Sequence, residues 1–541
     1  MPTQKVQCHC CPPISIDPTE EQREVSRRSF LAMGGVMMGG LTWSALQSEL
    51  AAQVRRRRVV AAPGLTTDAE PVSMPNPRKP LIVKPVLLHD LLQRQEKTSW
   101  RNWGGVDSPE AAEEEVGRIR GELASVKQKA DYPIEFLDVT KVTNVDQLSQ
   151  DHPDIKGCDL ILLYGAGYPI NGIQNFGKDV IIFQRWRSGP VYYQYEGVSA
   201  RFLRQHRDVQ SVPNIKEEDV VTDELSELDW RFRALCGLKN TKNAKIVTIG
   251  GASAFANGDA EGGVVETVRR VWNFQYHDVS YDELDKLIQE AMADAVTVER
   301  AKKRAQNYLK IPGTKLETSM ECFENNFVLD DVFRLLMKRI DTNMITVNSC
   351  MGPIMSKADT SACMTLSILN DDGFLAFCES DFVVIPSGVL LGNITGKPVF
   401  LNDPCYPHNS IITVAHCTAP RKMNGKTYDP VRIMTHFESD YGAAPKIEFP
   451  LGTLTTNIVP DYMSKRWVGV KGTICDVPFR PICRSQFDIK YECSDLLLAR
   501  RMPGFHFMTC YGDYTKEIGY ALRRVGIEWD NLDELPAKTM S

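Results

Sequence analysis

The stretch of sequence from residue 374 to residue 405 reads Phe-Leu-Ala-Phe-Cys-Glu-Ser-Asp-Phe-Val-Val-Ile-Pro-Ser-Gly-Val-Leu-Leu-Gly-Asn-Ile-Thr-Gly-Lys-Pro-Val-Phe-Leu-Asn-Asp-Pro-Cys. It begins with a short apolar run that ends abruptly in Glu379 and closes with a second apolar run that ends in Asp403. Between the two runs, residues 385–394 have helical character, with a proline near the first turn and a glycine after the last. The stretch therefore predicts a strand, a helix and a strand in that order.

The two predicted strands place Glu379 and Asp403 at one edge of a sheet. Strands joined through a single helix run parallel, so their carboxyl ends meet at the edge where open α/β sheets bind ligands. Neighbouring strands lie about 4.8 Å apart, and two carboxylates held that close require a hard cation or a shared proton. The pair indicates a metal site or acid–base chemistry, and the alternative is that each acid caps the loop or helix that follows it.

This stretch resembles the corresponding part of the L-fucose isomerase family, in which a glutamate in a short acidic motif precedes an aspartate after the next strand. The separation of Glu379 from Asp403 matches the family's, and the resemblance extends from about residue 240 to the C-terminus. It implies that both residues are metal ligands and catalytic bases, that His506 is the third metal ligand, and that His416 lines the sugar site. A buried core histidine is the alternative for His416. The aromatic residues on either side of His506 depart from the family, so the substrate of its namesake is not implied.

The predicted fold class is α/β, with two Rossmann-like α/β domains that contain parallel sheets, followed by a mostly antiparallel β C-terminal domain, as in the L-fucose isomerase fold. Strand and helix patterns alternate up to Asp403, one of them a single long helix at 281–309, and short strands with turns follow. The predicted parts of the chain are a twin-arginine signal region at 1–52, a linker or arm at 53–80, a first α/β domain at 81–240, a second α/β domain at 241–395 and a C-terminal β-rich domain at 396–541.

Cys350 follows a predicted strand at 344–348 and is expected at the same sheet edge as Glu379. It is a candidate for substrate binding, although no histidine lies close to it in sequence and a buried structural thiol is the favoured interpretation. The glycines at 165 and 167 begin like a dinucleotide fingerprint, but Pro169 and Ile170 stand where a helix start and a third glycine are needed. The sequence therefore argues against a nicotinamide cofactor.

The N-terminal sequence predicts export. Residues 26–31, Ser-Arg-Arg-Ser-Phe-Leu, precede a moderately apolar run, which is the pattern of a twin-arginine signal. An uncleaved N-terminal helix is the alternative. Cys8, His9, Cys10 and Cys11 are candidates for binding a soft metal. A disposable leader is the favoured interpretation, because the four residues are too closely spaced to wrap a tetrahedral site alone. We expect the twin-arginine export machinery as a partner and a periplasmic or other extracytoplasmic location.

The composition excludes several classes of protein. The chain has 541 residues, a net charge of −6 and a pI of about 6.0, which gives no indication of a nucleic-acid partner or a membrane surface. No apolar run reaches the length of a transmembrane helix. There are 15 cysteines, yet beyond residue 150 no two form a CxxC pair, which favours buried reduced thiols over a disulfide framework.

Two carboxylates and one imidazole make a site suited to Mn²⁺ or another divalent cation such as Mg²⁺. With the resemblance, this site predicts a metal-dependent aldose/ketose isomerase that moves a proton between C1 and C2 of a free sugar through an enediol(ate), with Glu379 or Asp403 as the base. Hydride transfer is the competing path. The alternatives are an exported sugar-binding protein without turnover, or another metal-assisted carbohydrate epimerase or lyase. The resemblance also implies a homo-oligomer, either a trimer or a hexamer.

Overall fold

The computed structural model describes residues 78–256, 263–349 and 351–534. It is a mixed α/β structure with parallel sheets and a C-terminal, antiparallel, barrel-like sheet, which confirms the predicted class at this level. The twin-arginine motif, nearly all of the predicted linker and Cys350 lie outside the described residues. Within those ranges, no helix is both long enough and apolar enough to cross a membrane.

The first sheet has six parallel strands, β1 (Leu81–Leu88), β2 (Ile134–Phe136), β3 (Thr140–Val142), β4 (Leu160–Gly165), β5 (Asp179–Gln184) and β6 (Val220–Thr222). Five of them follow the order β2-β1-β4-β5-β6, and β3 pairs with β1. Its helices are α1 (Pro109–Lys129), α2 (Pro153–Gly157), α3 (Gln194–Gly197) and α4 (Leu225–Thr241). Alternate residues of β4 enter two separate apolar clusters, so both faces of this sheet are covered.

The second sheet has four parallel strands, β7 (Lys245–Ile249), β8 (Gln275–Val279), β10 (Met344–Val347) and β11 (Leu375–Cys378). Their order across the sheet is β11-β10-β7-β8. The associated helices are α5 (Gly263–Trp272), α6 (Tyr281–Ala293), α7 (Ala295–Leu309), α8 (Met320–Arg339), α9 (Met351–Ala358), α10 (Cys363–Asp371) and α11 (Ile385–Thr395).

The prediction of one long helix at 281–309 is wrong, because Asp294 interrupts it. Its backbone is extended, and its carboxylate accepts hydrogen bonds from the N–H groups of Val296 and Thr297. Asp294 therefore ends α6 and caps the N-terminus of α7. A short polar side chain that bonds to nearby backbone N–H groups competes with helix continuation.

The third sheet closes on itself. Its strands follow the order β16-β19-β12-β13-β18-β17-β20, and β16 also pairs with β17, so six of them form a ring. All ring pairings are antiparallel, and β20 joins β17 in parallel. These strands are β12 (Phe400–Pro404), β13 (Ile411–His416), β16 (Leu454–Pro460), β17 (Arg466–Asp476), β18 (Ser485–Lys490), β19 (Phe507–Tyr511) and β20 (Glu528–Asn531). The remaining elements are a small sheet of β9 (Thr314–Leu316), β14 (Val431–Met434) and β15 (Ala444–Ile447), and the helices α12 (Asp495–Arg501) and α13 (Thr515–Arg523).

The predicted βαβ unit is wrong, because β11 and β12 belong to different sheets. β11 is the edge strand of the second parallel sheet, whereas β12 lies in the barrel between β13 and β19 and is antiparallel to both. Helix α11 connects the two sheets and is buried along its whole length. One apolar core, which includes Phe377, Leu391 and Met508, is shared by the second sheet, α11 and the barrel. The carboxyl end of β11 is thereby held against the barrel.

Helix α11 also packs closely on α4. A Cβ atom built on Gly237 of α4 would lie 2.9 Å from both the backbone N and the Cα of Ile394, and backbone cannot yield as a flexible side chain can. We expect Gly237→Ala to lower the free energy of unfolding by about 1–3 kcal/mol, measured by urea denaturation. The matched control is Gly121→Ala on α1, where no atom lies within 4 Å. That variant should be stabilised by about 0.5–1 kcal/mol, and equal effects at the two positions would contradict the packing argument.

Asp371, the last residue of α10, is buried and ties this helix to the segment after β13. Its Oδ1 accepts hydrogen bonds from the backbone N–H groups of Arg421 at 2.7 Å and Lys422 at 2.6 Å, while its buried Oδ2 has no partner among the described residues. Burial, with a smaller contribution from the negative charge of Asp372, raises the pKa of Asp371 to about 7, against the effect of the two backbone bonds.

The raised pKa of Asp371 predicts a pH dependence of stability. In the unfolded chain this carboxyl group loses its proton near pH 4, so between about pH 4 and pH 7 the folded state holds a proton that the unfolded state has released. The contribution of Asp371 to the free energy of unfolding is complete below this window and falls by about 4 kcal/mol as the pH rises through it. Asp371→Asn should remove that fall, which urea denaturation at about pH 5 and pH 8 would measure. The same pH dependence in both proteins would contradict the assignment.

Candidate functional site

Three neighbouring strands of the barrel bring one acid and two histidines together. Asp403 lies on β12, which stands between β13 and β19. His416 is the last residue of β13, and Asp403 pairs with Ala415 beside it. His506 directly precedes β19, whose first residue pairs with Asn402 of β12. The strand register therefore gathers Asp403, His416 and His506 at one place on the barrel.

Glu379 reaches the same place from the parallel sheet, at the residue after β11. Glu379 and Ser380 have φ angles of 65° and 47°. These angles lie in the left-handed region, which residues other than glycine seldom adopt. The backbone of this turn bonds to the loop after β7, since Ser253 N–H donates to Ser380 O and Phe382 N–H donates to Ser253 O. Strained backbone held by its surroundings is concentrated at functional sites. This turn directs the Glu379 carboxylate toward the barrel.

The imidazole of His506 lies between the two carboxylates. Its Nε2 is 3.2 Å from Glu379 Oε2 and 3.2 Å from Asp403 Oδ1. The second histidine contacts the other oxygen of the glutamate, with His416 Nε2 at 3.5 Å from Glu379 Oε1. Ligand atoms of Asp403, His416 and His506 all lie within 4.8 Å of one another, and those of Cys378, Glu379 and His416 form a second such group.

Asp381 fixes the orientation of His506. Its Oδ2 lies 2.7 Å from His506 Nδ1, and both side chains are almost completely buried. Its Oδ1 accepts hydrogen bonds from the backbone N–H groups of Phe255 at 3.0 Å and Val383 at 3.1 Å, so the carboxylate cannot rotate freely. A carboxylate on Nδ1 keeps the proton there and leaves the Nε2 lone pair for a metal, as in many metal sites.

Three buried atoms at the centre of this site have no hydrogen-bond partner among the described residues, although they approach one another closely. They are Glu379 Oε2, Asp403 Oδ1 and His506 Nε2. Leaving buried polar atoms without partners is costly, and a native fold retains them where a ligand completes them. Two carboxylate oxygens and one imidazole nitrogen are donors that Mn²⁺ and Mg²⁺ accept. These residues therefore fit a divalent cation.

The charges of the site are strongly coupled. Burial would raise the pKa of Glu379, but contacts with His416 and His506 hold that pKa well below its usual range. Burial lowers the pKa of His506, whereas contacts with Asp381, Asp403 and Glu379 raise it well above its usual range. Contacts with Glu379 and Asp403 likewise raise the pKa of His416 against the effect of burial. In the absence of a metal, a protonated imidazole therefore balances the carboxylates, and a cation that binds must replace that proton.

One side of the site is open and partly aromatic. The side chains of Glu379 and Asp403 are 15 % and 23 % exposed, whereas that of His506 is fully buried, so a ligand approaches from the carboxylate side. Phe505 is partly exposed, its ring stacks on Phe255 with centroids 5.8 Å apart, and both rings contact His506 edge-on. This arrangement places charged ligand atoms and an apolar surface on the same open side of the site.

The structure brings together four of the residues predicted from the sequence, Glu379, Asp403, His416 and His506, while Cys350 lies outside the described residues. Sequence reasoning gave no role to Asp381, although it follows Glu379 by two residues. It interpreted Cys378 only as a buried reduced thiol, whereas the sulfur lies close to ligand atoms of Glu379 and His416. The two acids directly after β11 were the sequence signal by which Asp381 could have been found. Phe255 gave no such signal, because only the folded chain places it near His506.

Comparisons of the chain with models of protein families and with curated proteins found no match. The functional assignment therefore rests on the site and its chemistry.

Proposed function

We propose that this chain is a metal-dependent aldose/ketose isomerase-like enzyme that acts on a free sugar through an enediol(ate). The observation that carries the proposal is the convergence of Glu379 Oε2, Asp403 Oδ1 and His506 Nε2, three buried atoms without hydrogen-bond partners. A pure binding protein has no need of two carboxylates beside an open face together with a buried aspartate that fixes the imidazole. Acid–base chemistry on a chelated substrate uses all of these groups.

The ligands of the cation would be Glu379, Asp403 and His506, with His416 beside them. Bound there, Mn²⁺ or Mg²⁺ would act as a Lewis acid toward the oxygens on C1 and C2 of the sugar. The protein contributes a fixed ligand geometry, because Asp381 holds His506 and the strained turn at residues 379–380 holds the glutamate.

Glu379 and Asp403 are the groups that move the proton. In the direction from aldose to ketose, one carboxylate removes the proton from C2 while negative charge develops on the C1 oxygen. Return of that proton to C1, with transfer of the O2 proton to O1, gives the ketose. Both carboxylates reach the open side of the site, where a sugar would lie with an apolar C–H face against Phe505. Their pairing allows one to act as base while the other stays with the cation.

The wider identity follows as part of the same proposal. Two parallel α/β sheets followed by an antiparallel barrel, with the acids after β11 and on β12, support an L-fucose isomerase-like fold. Membership of that family implies a trimer or a hexamer. The sequence motif at 26–31 supports export of the folded chain through the twin-arginine machinery to the periplasm or another extracytoplasmic space.

The test is an isotope-exchange assay. The purified protein is incubated in D₂O with Mn²⁺ or Mg²⁺ and a panel of aldoses and ketoses, the metal is chelated, and the sugars are analysed by proton NMR and mass spectrometry. We expect metal-dependent formation of the partner sugar with deuterium at C1 or C2. Interconversion without deuterium would indicate hydride transfer instead.

Two controls sharpen this assay. His408→Ala changes an exposed histidine outside the site and should keep full activity, whereas His506→Ala should lose it. Stoichiometric metal binding without turnover or exchange of any sugar would overturn the isomerase proposal in favour of a sugar-binding protein. Inversion at one carbon or cleavage of the sugar would identify an epimerase or a lyase.

A further inference from the structure

A second group of metal-binding side chains adjoins the first one. Ligand atoms of Cys378, Glu379 and His416 all lie within 4.8 Å of one another. Those of Asp403, His416 and His506 form the other group. In the second group the cysteine and the histidine are buried, and the glutamate is partly exposed. The site therefore offers ligands for more than one cation.

The two oxygens of the Glu379 carboxylate face different partners. Oε2 lies 3.2 Å from His506 Nε2, which is itself 3.2 Å from Asp403 Oδ1. Oε1 instead lies 3.5 Å from His416 Nε2. In two-metal sites the ions lie about 3.5–4 Å apart, a separation that the two oxygens of one carboxylate can bridge. One cation would then take Oε2 and the other Oε1.

The backbone explains how Cys378 and Glu379, which are consecutive, reach the same place. Successive side chains of a strand point to opposite faces of the sheet. Leu375 and Phe377 of β11 belong to the apolar core that is shared with the barrel, so Cys378 faces away from that core. The left-handed φ of 65° at Glu379 then interrupts the alternation. The sulfur is thereby placed beside the carboxylate and the imidazole.

His416 is held in the orientation that a cation at this place requires. Its Nδ1 lies 3.0 Å from the Thr418 hydroxyl oxygen, and both side chains are buried. A hydrogen bond from one imidazole nitrogen to a neighbouring oxygen leaves the lone pair of the other nitrogen for a metal. The atom that faces Glu379, Nε2, is therefore the ligand atom.

From these contacts we infer that Cys378, Glu379 and His416 form a second cation position, which takes a thiophilic divalent ion such as Zn²⁺ or Co²⁺. Sulfur, imidazole nitrogen and carboxylate oxygen are all zinc ligands, and a zinc site with three protein ligands keeps a fourth position open. Mn²⁺ and Mg²⁺ prefer oxygen ligands, so the sulfur distinguishes this position from the first. Glu379 would bridge the two ions. The inference rests on ligand geometry and does not depend on the proposed isomerase activity.

The test is a sequential titration of the full chain with two metals. The starting protein carries Cys8→Ser, Cys10→Ser and Cys11→Ser, so that these thiols do not contribute, and it is stripped of metal, kept reduced and loaded with one equivalent of Mn²⁺. Added Co²⁺ should produce an intense thiolate-to-cobalt absorption in the near ultraviolet. Metal analysis after gel filtration should find one equivalent of each ion. The electron paramagnetic resonance signal of Mn²⁺ should broaden with Co²⁺ nearby, whereas diamagnetic Zn²⁺ should leave it unchanged.

The outcomes of this titration separate the two cation positions. One-for-one displacement of Mn²⁺ by Co²⁺ would show a single position and would overturn the inference, and so would the absence of the thiolate absorption. A protein that shows the thiolate absorption but binds no Mn²⁺ would contradict the first position and support the second. Because no sugar is present, failure of the isomerase proposal would leave the result unchanged.

Variants assign the absorption to its sulfur ligand. Cys378→Ser and Cys378→Ala should both lose the absorption and the Co²⁺ equivalent while they keep Mn²⁺, and the alanine variant separates loss of the ligand from the cost of burying a hydroxyl group. Asp403→Asn should do the reverse. The matched control is Cys158→Ser, which changes a buried cysteine of the first α/β region and should keep both ions. An absorption that survives in both Cys378 variants would come from other thiols and would overturn the inference.

Discussion

Glu379→Gln is expected to lower sugar turnover by about 10²–10⁴-fold, the usual contribution of a positioned acid or base, and to weaken binding of Mn²⁺. The substitution keeps the shape of the side chain and removes its charge. Glu379 contacts both His506 and His416, so no neighbouring carboxylate can take over its position. The fold should survive at lower stability, because the variant keeps the shape of the side chain but loses the ion pairs of Glu379 with His506 and His416.

Isothermal titration calorimetry with Mn²⁺ and the isotope-exchange assay measure the two effects of Glu379→Gln. The matched control is Glu492→Gln, which neutralises an exposed glutamate outside the site and should leave both quantities unchanged. Circular dichroism of all proteins separates loss of function from loss of folding. A Glu379→Gln protein that binds Mn²⁺ and exchanges the sugar proton like the parent would refute the role of this carboxylate.

Asp381→Asn is expected to weaken metal binding by about 10–100-fold, although Asp381 lies behind His506 and is not itself a predicted ligand. In the native protein Asp381 Oδ1 accepts two backbone N–H groups and Oδ2 accepts the proton on His506 Nδ1. The backbone donors should keep the amide oxygen of the asparagine at the Oδ1 position. The amide nitrogen then faces Nδ1, which must act as an acceptor, and the imidazole proton moves to Nε2. That tautomer has no lone pair for the cation.

The measurement for Asp381→Asn is again calorimetric titration with Mn²⁺, combined with histidine-selective ¹⁵N NMR, which reports the tautomer directly. Asp488→Asn, a buried aspartate on β18 that accepts a hydrogen bond from Thr413, tests whether any buried aspartate would give the same loss. Unchanged metal affinity with the proton still on Nδ1 would contradict the positioning role. A structural effect alone would leave the tautomer unchanged.

Local sequence patterns predicted the strands and the acids that end them, but not the sheets to which the strands belong. Glu379 and Asp403 do meet, yet not as neighbours at the edge of one parallel sheet. β12 pairs with β19, more than a hundred residues later, and nothing in the residues of either strand specifies that partner. Apolar periodicity reports which face of a strand is buried and leaves the pairing to long-range packing.

The same difference between local sequence pattern and long-range packing explains which site residues could be predicted. His506 and His416 were predicted through the resemblance of the sequence to the L-fucose isomerase family, and the residue pattern alone left a buried core histidine as the alternative for His416. Asp381 and Phe255 became part of the site only through a contact between the loops after β11 and β7. The break at Asp294 was readable in principle, since aspartate favours helix N-termini, but the apolar pattern runs through it.

The left-handed backbone at Glu379 has an evolutionary consequence. A residue with a Cβ atom, such as glutamate, costs about 1 kcal/mol more than glycine in that conformation, because glycine adopts it without steric conflict. A descendant of this protein that no longer needed the carboxylate would gain stability by drifting to glycine or asparagine at this position. Among relatives of the chain, glutamate at the residue after β11 would therefore mark lineages still selected for chemistry, and glycine would mark those that keep only the scaffold.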